Sequence, residues 1–376
     1  MPVAMDIRDL KTPALLLDRP RLLANLARMA ARARALGVRL RPHMKTAKSA
    51  AVAKLALEQG ARGIAVSTLA EAAYFQGHGI RDILYAVGLA PAKLDEIAAL
   101  DARGAEIKIV TDNLPAAEAI ARHPGAHQVL IEIDTGDGRL GLDPAEPELI
   151  EVASAVQSTG RSRILGVMTH AGQSYDARDP DNMARIAEGE RAGALAAATR
   201  LRAAGFDCPI VSVGSTPTAT HARDLTGASE MRPGVYMFGD LFQAGIGSCA
   251  ASDIAVSVLA SVIGHRHKDN AAILDAGALA LSKDRSTEKL ANGDLGFGQV
   301  CDLDGRPWPG VSVVAVSQEH GRVSAKAPLS FERLPIGGRV RILPNHACIT
   351  AAGHDLYHVL DGGLEVVAAW DRCRGW

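Results

Sequence analysis

The stretch RPHMKTAKS, residues 41–49, sets Lys45 where an apolar run gives way to a helix-like segment. Such a position is a poor one for an ammonium group unless its charge is used or burial favours the neutral amine. A neutral lysine amine can join an aldehyde as a Schiff base. Lys48 is the competitor, but it reads as part of the first turn of the following helix, where solvent takes it. A second stretch, VGSTPTA at 213–219, gathers Gly214, Ser215 and Thr216 ahead of a short helix-capable segment. Backbone N–H groups and hydroxyls so placed can hold a phosphate, although the same residues standing alone are as often a plain helix cap.

A third stretch, LPNHACITAAGHDLYHVLDG at 343–362, carries His346 and Cys348 two residues apart. On an extended segment both project to one side, and an imidazole with a thiolate favours zinc over magnesium or manganese. A buried cysteine beside a satisfied histidine is the bland alternative. Two protein ligands would leave coordination positions open, as in a catalytic site. His354, His358, Gln318, Glu319 and His320 could line a substrate pocket or serve hairpin and surface roles.

These residues need a frame, and the chain supplies one by alternation. Apolar strand-like runs at 38–46, 62–68, 82–87, 106–112, 128–135, 163–171, 209–215 and 231–239 are separated by amphipathic helical segments. Eight strands with intervening helices predict an α/β fold of the (β/α)8 TIM-barrel type. From about residue 254 the helical period fades into short β-rich runs with turn signals, which predicts a C-terminal all-β domain. The expected division is residues 24–253 for the barrel and 254–376 for the β domain, with residues 1–23 and their strand TPALLLD joining the latter.

Barrel enzymes carry their chemistry at the carboxyl ends of the strands. Strand one ends in His43 and Lys45, strand five leads to Arg139, strand six to His170 and Tyr175, strand seven to the Gly-Ser-Thr loop, and strand eight to Gly234 and Tyr236. Singly, each has a structural explanation: a bonded histidine, a surface ion pair, a core tyrosine. A lysine at one rim with a phosphate cradle across from it suggests pyridoxal 5'-phosphate, which needs both.

The composition narrows the partners. Net charge is −1 with no basic stripe, so nucleic acid is not expected, and no run is long enough to cross a bilayer. The start of the chain has no signal-peptide pattern, and five cysteines lack a C-x-x-C spacing. Both point to a cytoplasmic protein acting on a small molecule.

With these stretches in hand, the sequence resembles the fold-type III pyridoxal-phosphate enzymes, in the family of D-serine dehydratase and D-threonine aldolase. RPHMKTAKS, GIAVSTLAEA, IEIDTGDGRLG, THAGQSY, SVGSTPT, GVYMFGD, LDAG, QEHG and LPNHAC look like one collinear set spanning nearly the whole chain. The resemblance implies that Lys45 holds the cofactor, with His43 in the cofactor set. It further implies that Gly214, Ser215, Thr216, Gly234 and Tyr236 bind its phosphate, that His170 or Tyr175 faces its ring, and that Arg139 lies near its phenolic oxygen. His346 and Cys348 match the family's metal pair. The aldolase branch usually has H-x-D-P-T there, whereas this chain reads HACIT. The implied reaction is therefore dehydration of a D-3-hydroxyamino acid such as D-serine, D-threonine or D-threo-3-hydroxyaspartate to a 2-oxo acid and ammonia, with zinc. Retro-aldol cleavage to glycine and an aldehyde, with Mn2+ or Mg2+, is the alternative. A racemase or a non-catalytic cofactor carrier fits less well, because neither explains both the metal pair and the β domain. The family also implies a head-to-tail homodimer.

Overall fold

The computed structural model describes residues 5–291 and 293–376. They fall into two compact units, one of residues 27–234 with 373–376, the other of residues 1–26 with 235–372.

The first unit is an eight-stranded parallel sheet whose strands are Arg39–Leu40, Ile64–Val66, Asp82–Gly88, Glu106–Thr111, Gln128–Ile133, Arg163–Thr169, Ile210–Val213 and Glu230–Met231. A bridge between His43 and Ala65 joins the two ends of the sheet into a ring. All eight expected strands are present, but the first and last are short. Proline is the reason in each. Arg41 and His43 donate backbone N–H groups to Met231 and Pro233, while Pro42, which has none, only accepts from Ala65. Pro233 ends the eighth strand in the same way.

Side chains alternate across a strand, and here both sets are buried. Ile83, Tyr85, Ile107, Ile109, Val129, Ile131, Val211 and Val213 form one set, each at most 2% exposed. The other set includes the apolar cluster of Ala65, Leu84, Val110, Leu130, Leu165, Met168 and Ile210. It also contains charges that neutralise one another. Arg41 donates to Glu230 at 2.9 Å and to Asp82 at 2.8 Å, Lys108 donates to Asp82 at 2.8 Å, and Ser212 donates to Glu230 at 2.8 Å. Burial alone would lower the basicity of Arg41, but the two carboxylates outweigh it and raise it.

Helices Ala50–Glu58, Leu69–Gly77, Leu94–Ala102, Leu114–Arg122, Glu148–Gln157, Pro180–Ala203 and Thr216–His221 return the chain between strands. Several are started by the residues expected of a cap: Thr68, Asn113 and Asp179 each accept from a backbone N–H of the first turn. Among the described residues no helix is long and apolar enough to cross a membrane.

The second unit is a ten-stranded sheet, mostly antiparallel. Strand Ala14–Asp18, from TPALLLD, pairs antiparallel with Val256–Arg266 and parallel with Leu356–Leu360. Arg339–Leu343 pairs with both Val256–Arg266 and Gln299–Cys301, so six of the strands close into a small barrel. The D-G-G turn joins Leu356–Leu360 to Glu365–Asp371 as a hairpin. Strands Gln299–Cys301 and Gly321–Ala325 have no counterpart in the sequence reading, being too short to show a period.

One buried histidine of the first unit sets a pH limit on its stability. His127 hydrogen-bonds His123 at 2.9 Å, and burial, then the neighbouring His123, lowers its pKa to about 4. The folded form thus binds this proton less readily than the unfolded chain, so stability is full at neutral pH and falls as pH drops from about 6.5 towards 4. After discounting for partial solvation the loss is about 1–2 kcal/mol. Denaturant melts at pH 7 and pH 4.5 should show His127→Gln with a shallower acid loss than the wild type; an identical slope contradicts the assignment.

Candidate active site

The mouth of the first unit is built from the ends of its strands. Lys45 stands in a turn directly after the first strand, and its side chain is exposed. This corrects the expectation of a lysine kept from water. What distinguishes Lys45 is its company. His170 has its pKa lowered to about 3 by burial, then by the charges of Lys45, Arg139 and Arg232. His43 is held well below the usual imidazole range by burial, Lys45, Arg232, His170 and Arg139. Three basic side chains therefore bear on two imidazoles whose protonation is opposed. Arg139 is 55% exposed, with only loose ion pairs to Glu132 at 3.8 Å and Asp137 at 3.7 Å.

Tyr175 lies on the turn Gly172–Asp176, with its ring centroid 6.5 Å from that of His170. Its neighbour Ser174 shares a 2.8 Å hydrogen bond with Ser215. The loop after strand seven takes its shape from Gly214, whose φ of +107° suits glycine, and a Cβ there would stand 3.3 Å from the Arg232 nitrogen. The N–H of Gly214 donates to Glu190 at 2.9 Å and that of Ser215 donates to the Thr218 hydroxyl at 2.8 Å. Both residues therefore shape the loop with their N–H groups turned to protein partners, and Thr216 opens the helix behind them. At Gly234 a Cβ would meet the His43 carbonyl at 3.0 Å and the Thr46 hydroxyl at 3.2 Å, so the exit of strand eight passes tightly against the Lys45 turn. Tyr236, in the second unit, is buried, and burial pushes its phenol up.

Basic side chains gathered at the strand ends suit an anionic, phosphorylated ligand. The residues present thus fit pyridoxal phosphate, which needs an amine and a place for an anion.

Lys48 is not a solvated first-turn residue. It sits before the helix with φ +50°, and its amine pairs at 3.0 Å with Glu71, which is fully buried. Glu71 in turn accepts from the Ser67 N–H at 2.9 Å. That commitment separates the two lysines more clearly than their sequence positions do.

In the second unit the extended geometry expected for His346 and Cys348 is absent. His346 is the N-cap of helix Ala347–Ala352, and Cys348 lies in its first turn. The side chains still meet. Burial opposes protonation of His346, but hydrogen bonds to Asp284 and Cys348 outweigh it and raise its pKa to about 11. Asp284, 2.8 Å from His346 Nδ1, is held far below the usual carboxylate range by that bond. Asp240 fixes the helix start by accepting the Ala347 N–H at 3.0 Å. Among the described residues no three His, Cys, Asp or Glu side chains are grouped to hold a metal. His354, His358 and Glu319 line a cavity of about 410 Å3 within this unit. Gln318 and His320 are not in that lining.

Sequence reasoning missed Glu132, Arg232, Glu190 and Asp284. A charge inside an apolar strand could have revealed the first two, in QVLIEIDT and MRPG. Glu190 is one of many helical charges, and Asp284 has no signal of spacing.

Comparison with known proteins agrees with this geometry. The family description Alanine racemase, N-terminal domain, matches residues 17–241, and Putative serine dehydratase domain matches residues 255–360. The chain is 48% identical to D-threo-3-hydroxyaspartate dehydratase of Delftia sp. (strain HT23), over 98% of each protein. It is 31% identical to D-serine dehydratase of Dictyostelium discoideum, over 99% of this chain and 98% of that one. A solved cysteine-to-alanine mutant of D-threo-3-hydroxyaspartate dehydratase, in the metal-free form, superposes with a TM-score of 0.95 at 46% identity, covering 99% of this chain and 100% of the other. The chain belongs to the fold-type III pyridoxal-phosphate family that joins an alanine-racemase-like domain to a serine dehydratase domain.

The two lysines should separate experimentally. Lys48→Met leaves Glu71 buried without its cation and should cost about 2–3 kcal/mol in denaturant melts while cofactor uptake survives. Lys45→Ala should do the opposite, leaving the melt within about 0.5 kcal/mol of wild type and abolishing the cofactor's visible absorbance. The reverse pattern would assign the cofactor to Lys48.

Proposed function

We propose that this protein is a pyridoxal-phosphate- and metal-dependent dehydratase of D-3-hydroxyamino acids, with D-threo-3-hydroxyaspartate as its preferred substrate. The observation that carries the reading is Lys45 among His43, His170, Arg139 and Arg232 at the strand ends, in a chain 48% identical to a dehydratase over nearly its full length.

Pyridoxal phosphate, when bound, supplies an aldehyde that joins amines and a ring that accepts the electrons left by a departing proton. Lys45 Nζ would be the amine that holds it and would serve as the base for the substrate's α proton. The Gly214–Thr216 loop and Gly234 would hold the phosphate, and Arg139 would serve the anionic ring oxygen; the resemblance assigns Tyr236 to the phosphate as well. His170 stays neutral at working pH, so beside Tyr175 it offers the ring a flat, uncharged face. His346 and Cys348 would hold a zinc ion, whose Lewis acidity would help a hydroxyl leave. Asp284 on Nδ1 orients that imidazole so that its other nitrogen is available. Overall, water is eliminated and water is taken up again in hydrolysis, giving a 2-oxo acid and ammonia.

The same reading includes a homodimer and a cytoplasmic location; an odd number of cysteines with no C-x-x-C spacing supports the latter. Incubation with D-threo-3-hydroxyaspartate, D-serine and D-threonine should yield 2-oxo acid and ammonia, fastest with the first. Glycine with an aldehyde would instead make the protein an aldolase. Chelation should stop turnover by at least about 100-fold while the cofactor's absorbance remains, and added zinc should restore it; undiminished activity would remove the metal from the account.

A further inference from the structure

Glu190 is a fully buried carboxylate on helix Pro180–Ala203, and no role described so far uses it. Its two oxygens satisfy three donors. Oε1 accepts from the Gly214 N–H and from the Thr169 hydroxyl, each at 2.9 Å, and Oε2 accepts from the Thr218 hydroxyl at 3.0 Å. Thr169 closes strand six, directly before His170, whereas Gly214 lies in the loop after strand seven and Thr218 in the first turn of the helix that follows it. One side chain thus ties the strand end that carries His170 to the loop read as the phosphate cradle.

The tie extends further. The Thr218 hydroxyl that donates to Glu190 also accepts the Ser215 N–H at 2.8 Å, and Ser215 Oγ reaches Ser174 beside Tyr175 at 2.8 Å. Burial pushes the Glu190 carboxyl up, and the three donors with Arg232 offset that only in part. Without it, three donors would face a dry interior with no acceptor, and Gly214 would lose the bond that holds its left-handed turn.

We propose that Glu190 is a positioning residue for the cofactor's phosphate, fixing loop 214–218 in its receiving shape and in register with His170. The inference rests on reading the barrel mouth as a pyridoxal-phosphate site. Its test uses the full-length apoprotein, comparing pyridoxal phosphate with pyridoxal, which lacks the phosphate. Glu190→Ala should weaken pyridoxal phosphate binding by at least about tenfold and change pyridoxal binding by less than about twofold. Glu190→Gln keeps an oxygen for Gly214 and Thr169 and should restore affinity to within about threefold of wild type. If Glu190→Ala does not fold, Thr218→Val, which removes one of the three donors, should still show a loss confined to the phosphorylated ligand. An equal loss for both ligands, or a lowered melting temperature with unchanged affinity, would make Glu190 a residue of the fold alone. A wild-type protein that binds neither ligand would overturn the reading of the site itself, and this assignment with it.

Discussion

Positive charge gathered at the carboxyl end of the barrel strands is the constraint on which the rest of the first unit depends. Lys45, Arg139 and Arg232 all act with burial against protonation of His43 and His170. Glu132 lies among them, with burial pushing its carboxyl up and Arg139 and Arg232 pulling it down. A fold that concentrates cations in this way is poised for a phosphorylated cofactor.

Below that mouth the same strands solve the opposite problem. Arg41, Glu230, Asp82 and Lys108 are charges within the barrel strands, and each is matched by opposite charge within hydrogen-bonding distance. Such pairs add little net stability over an apolar filling, but removing one partner is costly, so they hold the register of strands one, three, four and eight. The strand ends can then carry unbalanced charge without the barrel giving way beneath them. Glycines 214 and 234 complete the arrangement, since at each a Cβ would press on a neighbouring strand or turn.

Much of this was legible in the sequence. All eight barrel strands and the change to β structure after them follow from hydrophobic period, because burial on both faces leaves continuous apolar runs. The place of Lys45 at a strand end is legible in the sequence, whereas its exposure to water is not. Its exposed side chain is marked by neighbours brought from strands five, six and eight, which no local window contains. Lys48 was misplaced because its left-handed backbone and its pairing with Glu71 are tertiary facts. For His346 and Cys348 the spacing was informative and the assumed strand was not: an N-cap followed by a helical turn also brings residues two apart together. Asp284, 62 residues away from His346, leaves no pattern to find.

The claim at the centre is covalent and can be read directly. Borohydride reduction of the protein loaded with pyridoxal phosphate, followed by proteolysis and peptide mass spectrometry, should place a pyridoxyl adduct on the peptide containing Lys45 and on that lysine alone. An adduct on Lys48 or another lysine, or none, would contradict the account.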